Sequence, residues 1–508
     1  MAERTKEEIL DYLNRAEVSS VGTSNMGKPR QRMMHFAVDD EFNVYLSSMK
    51  GDPKVIQWSN IPETAMLIHQ GQTFMEMEEC EIIGRAQVVR GDKEREKATD
   101  LLKNRSPIVG NFVSQGAVDR LEFIKVKPYT VKYRFVPEIL QGEAPTVFDL
   151  SSEVEGSADS QDILSRLNTW KEAVRPLSLT ASFIPALLGG AMAFSMAGIF
   201  SWPLLLLTVL AAVMVQAGTN MINDFKDAER DAENTGGVRP FTGGSKMIQL
   251  GLISKADMGF FGIVLTAAAG LIGLYLAFVS GPGILPLIVY GLIAGFFYTN
   301  GKGKFSFINL SPGIAEFLIA TTYGTAMTVG AYYVQTGSYS LEVFLVSIPV
   351  AALITNVLLI NQFPDAESDA EQEKETLVVR IGKKQAKNVL IALFITAFAA
   401  VIIIPIISEV PATVYIAFLS LPFMVQAIRY ANKHYDGQPT ELIPGNAHTA
   451  IHHLLTGLLL IIAFVMMEAS VWFTLLISAG TLVFVFWVWK YIERQRKVMS
   501  GFKKAFAK

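Results

Sequence analysis

The sequence contains almost no cysteine and comparatively little charge. Cys80 is the single cysteine in 508 residues, which excludes a disulfide framework and a cysteine-ligated zinc or iron–sulfur centre within one chain. Charged residues form 18% of the chain and hydrophobic residues 51%. This composition is too apolar for a disordered chain and too weakly charged for an ordinary soluble enzyme. The formal net charge of −3 argues against a general affinity for nucleic-acid phosphates.

Apolar runs of membrane length are missing from residues 1–160, and the charged, amphipathic N-terminus has no apolar core, so we expect no cleaved secretory signal. From Pro176 onward, long apolar runs follow one another. A bilayer core needs about 20 apolar residues per helix. On this criterion we count ten candidate spans, at 176–198, 203–222, 256–279, 283–300, 314–335, 341–362, 387–407, 411–428, 449–467 and 471–489.

Lysine and arginine are absent from five long stretches of this second region. The stretches lie between Arg175 and Lys226, Lys255 and Lys302, Lys304 and Lys374, Lys387 and Arg429, and Lys433 and Lys490. Each stretch holds two candidate spans and the turn between them, so every second loop carries all the positive charge. The positive-inside rule then predicts that the basic loops and both termini are cytoplasmic. Buried helices of a soluble protein would not produce this alternation.

Two acidic motifs occupy corresponding loops on the predicted cytoplasmic side. The first (residues 220–231) follows the second span and contains Asn220, Asn223, Asp224, Asp227 and Asp231. The second (residues 361–369) follows the sixth span and contains Asn361, Asp365 and Asp369. On a helix, residues 220, 224, 227 and 231 share one face, as do 361, 365 and 369. The recurrence indicates an internal pseudo-repeat, with Pro364 ending or kinking the sixth span.

Carboxylates crowded on one face of a helix repel one another. A bound hard cation would offset this repulsion and would account for the arrangement. Mg²⁺ takes oxygen ligands and commonly binds through one or two carboxylates together with substrate phosphates. Two such faces could hold Mg²⁺ ions across a diphosphate and allow an allylic C–O bond to ionise. Basic residues near the motifs could hold phosphate oxygens, namely Lys226, Arg239, Lys246, Lys374 and Arg380. The alternative is that these are solvated loop charges that only enforce topology.

The segments NDFKDAERD and DAESD resemble the UbiA superfamily of intramembrane prenyltransferases, over roughly residues 165–470. WKEAVRP (170–176), YYVQTG (332–337) and NQFPDAESD followed by TLVVRIG (361–382) bring the pattern closer to the 1,4-dihydroxy-2-naphthoate prenyltransferases of menaquinone synthesis. The resemblance implies an all-helical bundle with a central cavity and Mg²⁺-dependent transfer of a polyprenyl group to an aromatic acceptor. It implies that the catalytic, metal-linked acids are Asp224, Asp227, Asp231, Asp365 and Asp369. It implies substrate-binding roles for Asn220, Asn223, Lys226, Arg239, Lys302, Asn361 and Arg380.

Two features depart from that family. It usually has nine spans rather than ten, and the last span with its basic tail (residues 471–508) lies beyond the resemblance; we interpret the tail as an anchor on anionic lipid. Glu373 also precedes Lys374 where a Gly-Lys pair is more usual. Tyrosines that could face an allyl cation, or simply pack, are Tyr298, Tyr323, Tyr332 and Tyr333. For His448, His452 and His453 we favour packing or a polar lining over metal binding.

Residues 1–140 show alternating strand-like runs with two or three helices, which predicts a small barrel. GKPRQRMMHF and VYLSSMKGDPK resemble the pyridoxamine 5′-phosphate oxidase-like flavin-binding split barrels. The resemblance implies an FMN phosphate cradle made of Arg32, Ser47, Ser48, Lys50 and Lys54, and homodimers that complete the site. The alternative is a degenerate barrel without a cofactor, used for dimerisation or regulation.

The expected fold is therefore multidomain. It comprises a split barrel (1–140), a flexible acidic linker (141–162), a prenyltransferase-like membrane domain (163–470), and an extra span with a basic tail (471–508). The fold class is a mainly-β split barrel plus an all-α polytopic bundle of nine or ten transmembrane helices in the inner (cytoplasmic) membrane. Competing functions are a prenyltransferase for a non-quinone lipid acceptor, a cation-coupled transporter with a regulatory barrel, and a scaffold with an inactive membrane domain.

Overall fold

The computed structural model describes residues 4–25, 28–151, 167, 169–228, 244–249, 252–299 and 305–506, with side chains described up to residue 493. The chain divides into two compact units. One unit, the barrel unit, comprises residues 1–170 and 250–254. The other, the helical unit, comprises residues 171–249 and 255–508.

The barrel unit is built on a seven-stranded antiparallel sheet. Its strands are β1 (Val18–Asn25), β2 (Lys28–Val38), β3 (Val44–Met49), β4 (Glu63–Gln70), β5 (Glu78–Val88), β6 (Leu121–Phe135) and β7 (Thr146–Asp149). The strand order is β3-β2-β1-β4-β5-β6-β7, and β3 also pairs with β6. That extra pairing closes six strands into a barrel, which confirms the fold predicted for the front of the chain.

Alternation along the strands explains why the sheet closes. In β4, Thr64, Met66 and Ile68 are buried, whereas the residues between them are exposed. Side chains of a strand point to opposite faces with a period of two, so one face of the sheet becomes the core. Five helices cover or flank the sheet: α1 (Lys6–Arg15), α2 (Pro53–Asn60), α3 (Asp92–Leu102), α4 (Pro107–Ser114) and α5 (Val136–Leu140).

Helix α1 begins at a capping box and closes one side of the barrel. The Thr5 side chain accepts a bond from the Glu8 N–H, and the Glu8 side chain accepts one from the Thr5 N–H. The buried Tyr12 hydroxyl donates to the carbonyls of Ile68 (3.1 Å) and Glu78 (2.9 Å). These bonds join the helix to β4 and β5, and burial of the phenol raises the pKa of Tyr12.

The segment predicted as a flexible linker (141–162) contains structure at its start. Residues Thr146–Asp149 form β7, which pairs with β6, for example Val131 with Phe148. Phe148 packs against the barrel core, and this burial outweighs the small, acidic composition that predicted a tether. Residues 152–166 lie outside the described residues.

The helical unit contains thirteen α-helices among its described residues. They are α6 (Thr180–Met196), α7 (Trp202–Lys226), α8 (Lys255–Ser280), α9 (Leu285–Phe297), α10 (Ile314–Ile319), α11 (Met327–Thr336), α12 (Leu341–Gln362), α13 (Ala366–Glu371), α14 (Leu377–Ile381), α15 (Lys383–Ile407), α16 (Leu421–His434), α17 (Ile443–Glu468) and α18 (Val471–Phe506). A π-helical turn, Ala320–Ala326, joins α10 to α11, and a 3₁₀ segment, Ala412–Ser420, precedes α16.

Within the described part of the chain, seven helical segments are long and apolar enough to cross a membrane. They are Trp202–Lys226, Lys255–Ser280, Leu341–Gln362, Lys383–Ile407, Ala412–His434, Pro439–Glu468 and Val471–Glu493. Two further apolar helices, Thr180–Met196 and Pro282–Phe297, are shorter. The predicted count of nine or ten spans is therefore not confirmed. Two of the apolar runs form helices shorter than the runs themselves, and a π-turn interrupts the run at 314–335.

Helix α17 lies at the centre of the helical unit and α18 at its surface. Of the most apolar stretch of each helix, 78% is buried for α17 and 11% for α18. The largest core cluster joins α17 to α6 and α12 through Ile184, Val350 and Phe464, among others. Glycines bring helices close: a Cβ at Gly457 of α17 would lie 2.2 Å from Ile184 Cγ2 of α6, and one at Gly189 of α6 would lie 2.2 Å from the carbonyl oxygen of Thr328 in α11.

We expect Gly84→Ala to destabilise the barrel. Gly84 lies at a register shift between β5 and β6, where a Cβ would fall 2.3 Å from the Lys127 carbonyl oxygen and 2.8 Å from the Pro128 Cα. Backbone atoms cannot yield as a side chain does, so the expected loss is about 1–3 kcal/mol. Thermal unfolding of the purified full chain measures it. Gly91→Ala is the control, because a Cβ there meets no atom within 4 Å. Equal melting temperatures for the two variants would contradict the packing argument.

Candidate active site

Asp224, in the last turn of α7, is buried and fully engaged by the protein. Its carboxylate forms an ion pair with the Arg175 guanidinium and accepts bonds from the Ser245 backbone N–H (3.2 Å) and hydroxyl. Arg175 itself adopts a left-handed backbone conformation (φ 55°), which is uncommon for a non-glycine residue. Asp224 therefore ties the segment before α6 and the segment after α7 to the same helix end.

Asp227 lies one residue after α7 ends and is 6% exposed. The buried Thr299 hydroxyl lies 2.7 Å from Oδ1 and 2.8 Å from Oδ2 of this carboxylate, and it donates to them. Thr299 follows α9, so this contact brings the ends of two apolar helices together. A buried carboxylate of this kind is costly unless it is hydrogen-bonded or paired with a cation.

The second motif begins where α12 ends. The helix stops at Gln362, two residues before Pro364, which confirms the predicted break. Asp365 is the N-cap of the short helix α13, and its carbonyl accepts a bond from the Asp369 N–H at 2.7 Å. Asp369 is 8% exposed, so this short helix turns a second carboxylate into the interior.

Lys374 joins the two motifs. Its Nζ lies 3.9 Å from Oδ2 of Asp227 and 4.0 Å from Oδ1 of Asp369. The backbone positions this lysine as well, because its N–H donates to the Asp369 carbonyl at 2.8 Å. The two motifs, more than 140 residues apart in sequence, thus place one carboxylate each around a single ammonium group. Opposite charges at this separation attract strongly where water is partly excluded.

The donor set is chemically suitable for Mg²⁺, although it is smaller than predicted. Within the described ranges, no group of three or more acidic, histidine or cysteine side chains is close enough to hold a metal ion. Mg²⁺ commonly needs only one or two carboxylates because substrate phosphates complete its shell. Asp227 and Asp369 supply two carboxylates around one cationic centre. The amide oxygen of Asn223, one helical turn before Asp227, is buried without a hydrogen-bond partner, so one more oxygen donor is available.

The predicted substrate-binding residues are dispersed by the structure. The Asn220 amide donates to the Val174 carbonyl (3.0 Å) and to Ser178 Oγ (2.9 Å), so it holds the chain segment before α6. Lys226 donates to the Phe296 carbonyl, and its ammonium group lies over the Phe296 ring.

Asn361 and Arg380 also have protein partners. Asn361 Oδ1 accepts a bond from Asn446 of α17 at 2.7 Å. Arg380 pairs with Glu375 and donates to the Asn309 carbonyl at 2.7 Å, which fixes the loop that contains Lys374. The predicted residues Asp231, Arg239 and Lys302 lie outside the described residues.

The sequence motifs do not predict a role at the site for Arg175, Ser245 or Thr299, and they predict Lys374 only as a ligand of phosphate oxygens. Arg175, Ser245 and Thr299 contact acids that lie 49, 21 and 72 residues away in the chain. No local periodicity connects positions so far apart. Arg175 at least had a signal, since it is the last basic residue before the first apolar run.

The aromatic and histidine candidates mostly serve packing. The Tyr333 hydroxyl accepts a bond from the Gly283 N–H at 3.1 Å, and Tyr332 belongs to the main core cluster. The His452 ring donates from Nδ1 to the Ser420 carbonyl at 3.1 Å and stacks on Phe398. These contacts support the interpretation of these residues as packing groups.

In the barrel unit, the residues predicted to form one phosphate-binding cradle differ in their contacts and in their burial. Arg32 donates to Thr23 Oγ1 (2.6 Å) and Gln57 Oε1 (3.3 Å), and burial lowers the pKa of its guanidinium. Lys54 pairs with Asp52, the N-cap of α2. Of the other cradle candidates, Ser48 has a buried hydroxyl without a partner, Ser47 is half-buried and Lys50 is exposed.

Comparison with known proteins shows the family to which the helical unit belongs. Residues 182–443, more than half of the chain, match the model of the UbiA prenyltransferase family. The chain is 27% identical to the 1,4-dihydroxy-2-naphthoate octaprenyltransferase of Escherichia coli over 305 residues, covering 59% of this chain and 96% of that protein. It is 28% identical to the Bacillus subtilis protein of the same name over 269 residues, covering 51% and 80%.

The barrel unit is also similar in fold to solved structures, at low sequence identity. A Listeria innocua structure described as a pyridoxamine 5′-phosphate oxidase is 20% identical with a TM-score of 0.21, covering 25% of this chain and 96% of that one.

The family match over residues 182–443 includes both acidic motifs and Lys374. The chain therefore belongs to the UbiA prenyltransferase family and is a membrane-embedded prenyltransferase with an N-terminal barrel.

Proposed function

We propose that this chain transfers a polyprenyl group from polyprenyl diphosphate to an aromatic quinone precursor, such as 1,4-dihydroxy-2-naphthoate, in a Mg²⁺-dependent reaction within the membrane. The observation that carries the proposal is the position of Lys374 between Asp227 and Asp369. Carboxylates and an ammonium group at one point suit a site that binds both a divalent cation and a diphosphate. The names of the two relatives above support the choice of acceptor class.

In this proposal Asp227 and Asp369 would hold Mg²⁺, and the ion would supply positive charge that stabilises the diphosphate leaving group. The Lys374 ammonium contacts a phosphate oxygen, and the Asn223 amide oxygen completes the polar wall. Asp224, Asp231 and Asp365 remain proposed members of the acidic set. The buried apolar helices would exclude water from the reaction. This exclusion matters because water could otherwise react with the allylic cation before the aromatic ring does.

The competing functions are less well supported. A cation-coupled transporter would be expected to place its acids near mid-span, on interrupted helices. Here Asp227 follows the last turn of α7, and Asp369 belongs to a short helix beyond α12. A non-quinone lipid acceptor remains the closer alternative, since the same acidic site would serve it.

We also propose that the barrel unit binds FMN and pairs with a second copy of itself, on the cytoplasmic side of the inner membrane. The buried, unpartnered Ser48 hydroxyl supports the flavin proposal, because buried polar groups are normally hydrogen-bonded. The basic loops that flank the spans support cytoplasmic termini. A flavoprotein domain beside a quinone-precursor prenyltransferase would suit redox chemistry on the same class of compound.

Asp227→Asn and Asp369→Asn should each lower prenyl transfer by about 100-fold or more, because each removes one charge from a site that must balance a diphosphate. Transfer from radiolabelled polyprenyl diphosphate to 1,4-dihydroxy-2-naphthoate, with and without Mg²⁺, measures the effect. Glu409→Gln is the matched control, since Glu409 is an exposed acid in a loop without basic residues. Full activity in both aspartate variants would rule out the proposed acidic site.

Lys374→Met should raise the KM for polyprenyl diphosphate by about 10-fold, whereas Lys374→Arg should retain most of the affinity. The reason is that an arginine can still offer a cation to both carboxylates and phosphate, and a methionine cannot. Steady-state kinetics with varied diphosphate substrate measure this difference. An unchanged KM in Lys374→Met would show that the lysine does not contact the substrate.

The full chain purified in detergent should carry bound flavin, visible in its absorption spectrum. Arg32→Met should lose most of that flavin, because the arginine is proposed to bind the phosphate. Arg90→Met, at an exposed position of the same unit, is the control. A colourless protein that takes up no added FMN would favour the degenerate barrel.

A further inference from the structure

Glu316 is a buried acid of the helical unit that the site described above does not use. It lies in the apolar helix α10, whose sequence is IAEFLI, and is 7% exposed. Gln362 Nε2 donates to its Oε1 at 2.6 Å. Among the residues that the structure describes, no lysine or arginine lies within 4.0 Å of it. Ionisable residues inside a membrane bundle are costly and usually functional.

The neighbours of Glu316 connect it to both acidic motifs. Gln362, its hydrogen-bond donor, is the last residue of α12 and stands three positions before Asp365. Tyr298 interacts electrostatically with Glu316 and also with Asp369 and Asp227. The next residue after Tyr298 is Thr299, which donates to Asp227. Glu316 therefore lies beside the acidic site rather than in a separate part of the bundle.

One oxygen of Glu316 is available to a ligand. Oε1 accepts the bond from Gln362, whereas Oε2 has no hydrogen-bond partner within the described part of the chain. The carboxylate is thus held through one oxygen, and the other oxygen makes no hydrogen bond to the described residues.

The backbone after Glu316 is also unusual. The helix widens into a π-helical turn at Ala320–Ala326, one residue after α10 ends. Such turns are rare and occur frequently at functional sites. Gly324 of this turn lies against α12, where a Cβ would fall 2.4 Å from Ala351. The wide turn and the close contact position α10, and so Glu316, against the helix that leads to the second motif.

We propose that Glu316 is the catalytic base that receives the hydroxyl proton of the aromatic acceptor. This inference rests on the proposed function and adds the acceptor side of the reaction to it. As the allylic C–O bond of the prenyl donor breaks, its electron pair leaves with the diphosphate. A ring carbon of the acceptor forms the new C–C bond, the O–H electron pair moves into the ring to give a ketone, and the proton passes to Glu316 Oε2. Loss of the group that the attacked carbon carried, as a proton or as carbon dioxide, returns an electron pair to the ring and restores its aromaticity. The ring oxygen is then an anion, and it takes the proton back from Glu316, which regenerates the base.

A carboxylate suits this step for a physical reason. The acceptor ring becomes electron-poor as it attacks, which makes its hydroxyl more acidic in the transition state than in the ground state. A base placed at that hydroxyl lowers the barrier by removing the developing charge, and such bases typically contribute 10²- to 10⁴-fold to the rate. Gln362 orients the carboxylate, and its Oε1 is itself fixed by the Val378 N–H at 3.3 Å.

The test is Glu316→Gln in the full chain, assayed with two acceptors that differ in hydroxyl acidity. Glutamine keeps the shape and can still bond to Gln362, but it cannot take a proton. We expect kcat to fall about 100-fold with 1,4-dihydroxy-2-naphthoate and the KM for polyprenyl diphosphate to stay unchanged. With an acceptor whose hydroxyl is already ionised in the assay, the ratio of wild-type to variant rates should shrink at least 10-fold.

Two controls separate this role from a structural one. Glu342→Gln makes the same chemical change at an acid hydrogen-bonded to Ser340 at the opposite end of α12, and it should leave turnover unchanged. Gln362→Met removes the bond to Glu316 but keeps the carboxylate, so its defect should be smaller than that of Glu316→Gln. The ratio of wild-type to variant rates, taken separately for each acceptor, cancels the intrinsic reactivity of that acceptor.

Each outcome bears on a different claim. An equal loss with both acceptors, or no loss in Glu316→Gln, would overturn the role of Glu316 as a base. Wild-type protein that prenylates no aromatic acceptor would instead overturn the proposed function. A variant that unfolds would show a lower melting temperature, and in that case Glu316→Asp, which keeps the charge, should recover activity with the less acidic acceptor if the proposal is correct.

Discussion

The ammonium group of Lys374 between two buried carboxylates is the interaction on which the site depends. Asp227 and Asp369 are each largely removed from water, and two such charges would repel each other across the interior. A cation between them relieves that repulsion and replaces part of the lost hydration. The same electrostatics favour a divalent ion or the counter-charge of a diphosphate, which is consistent with the proposed ligands.

The surrounding framework serves to hold those charges at the ends of apolar helices. Thr299 satisfies one carboxylate, Arg175 satisfies the neighbouring Asp224, and Pro364 ends α12 so that a short helix can present Asp369. Each of these three residues is either polar or a helix breaker, and each lies next to the end of a long apolar segment. This arrangement places polar and charged groups next to apolar helices, which suits the proposed reaction between a lipid diphosphate and an aromatic ring.

The number of acids at the site differs from the expectation based on the motifs. Five aspartates were predicted to act together, yet among those the structure describes, Lys374 contacts Asp227 and Asp369, whereas Asp224 pairs with Arg175. Helical periodicity placed Asp224 and Asp227 on one face, but the helix ends between them. A terminal turn directs neighbouring side chains to different partners, and the sequence spacing alone does not show this.

Much about this protein follows from the sequence alone. The spacing of apolar runs and basic loops indicated a membrane protein, the two acidic motifs indicated a family, and strand alternation indicated a barrel at the front. These features are local, so periodicity and composition reveal them. Only the tertiary structure shows that Lys374 lies between the two motifs and that Thr299 and Arg175 contact Asp227 and Asp224. Only the tertiary structure shows that the segment around Phe148 forms a seventh strand of the sheet and that Glu316 lies near the acidic site. Contacts between residues tens to more than a hundred positions apart depend on how helices and strands pack, because packing is set by the whole set of buried surfaces and not by any one segment.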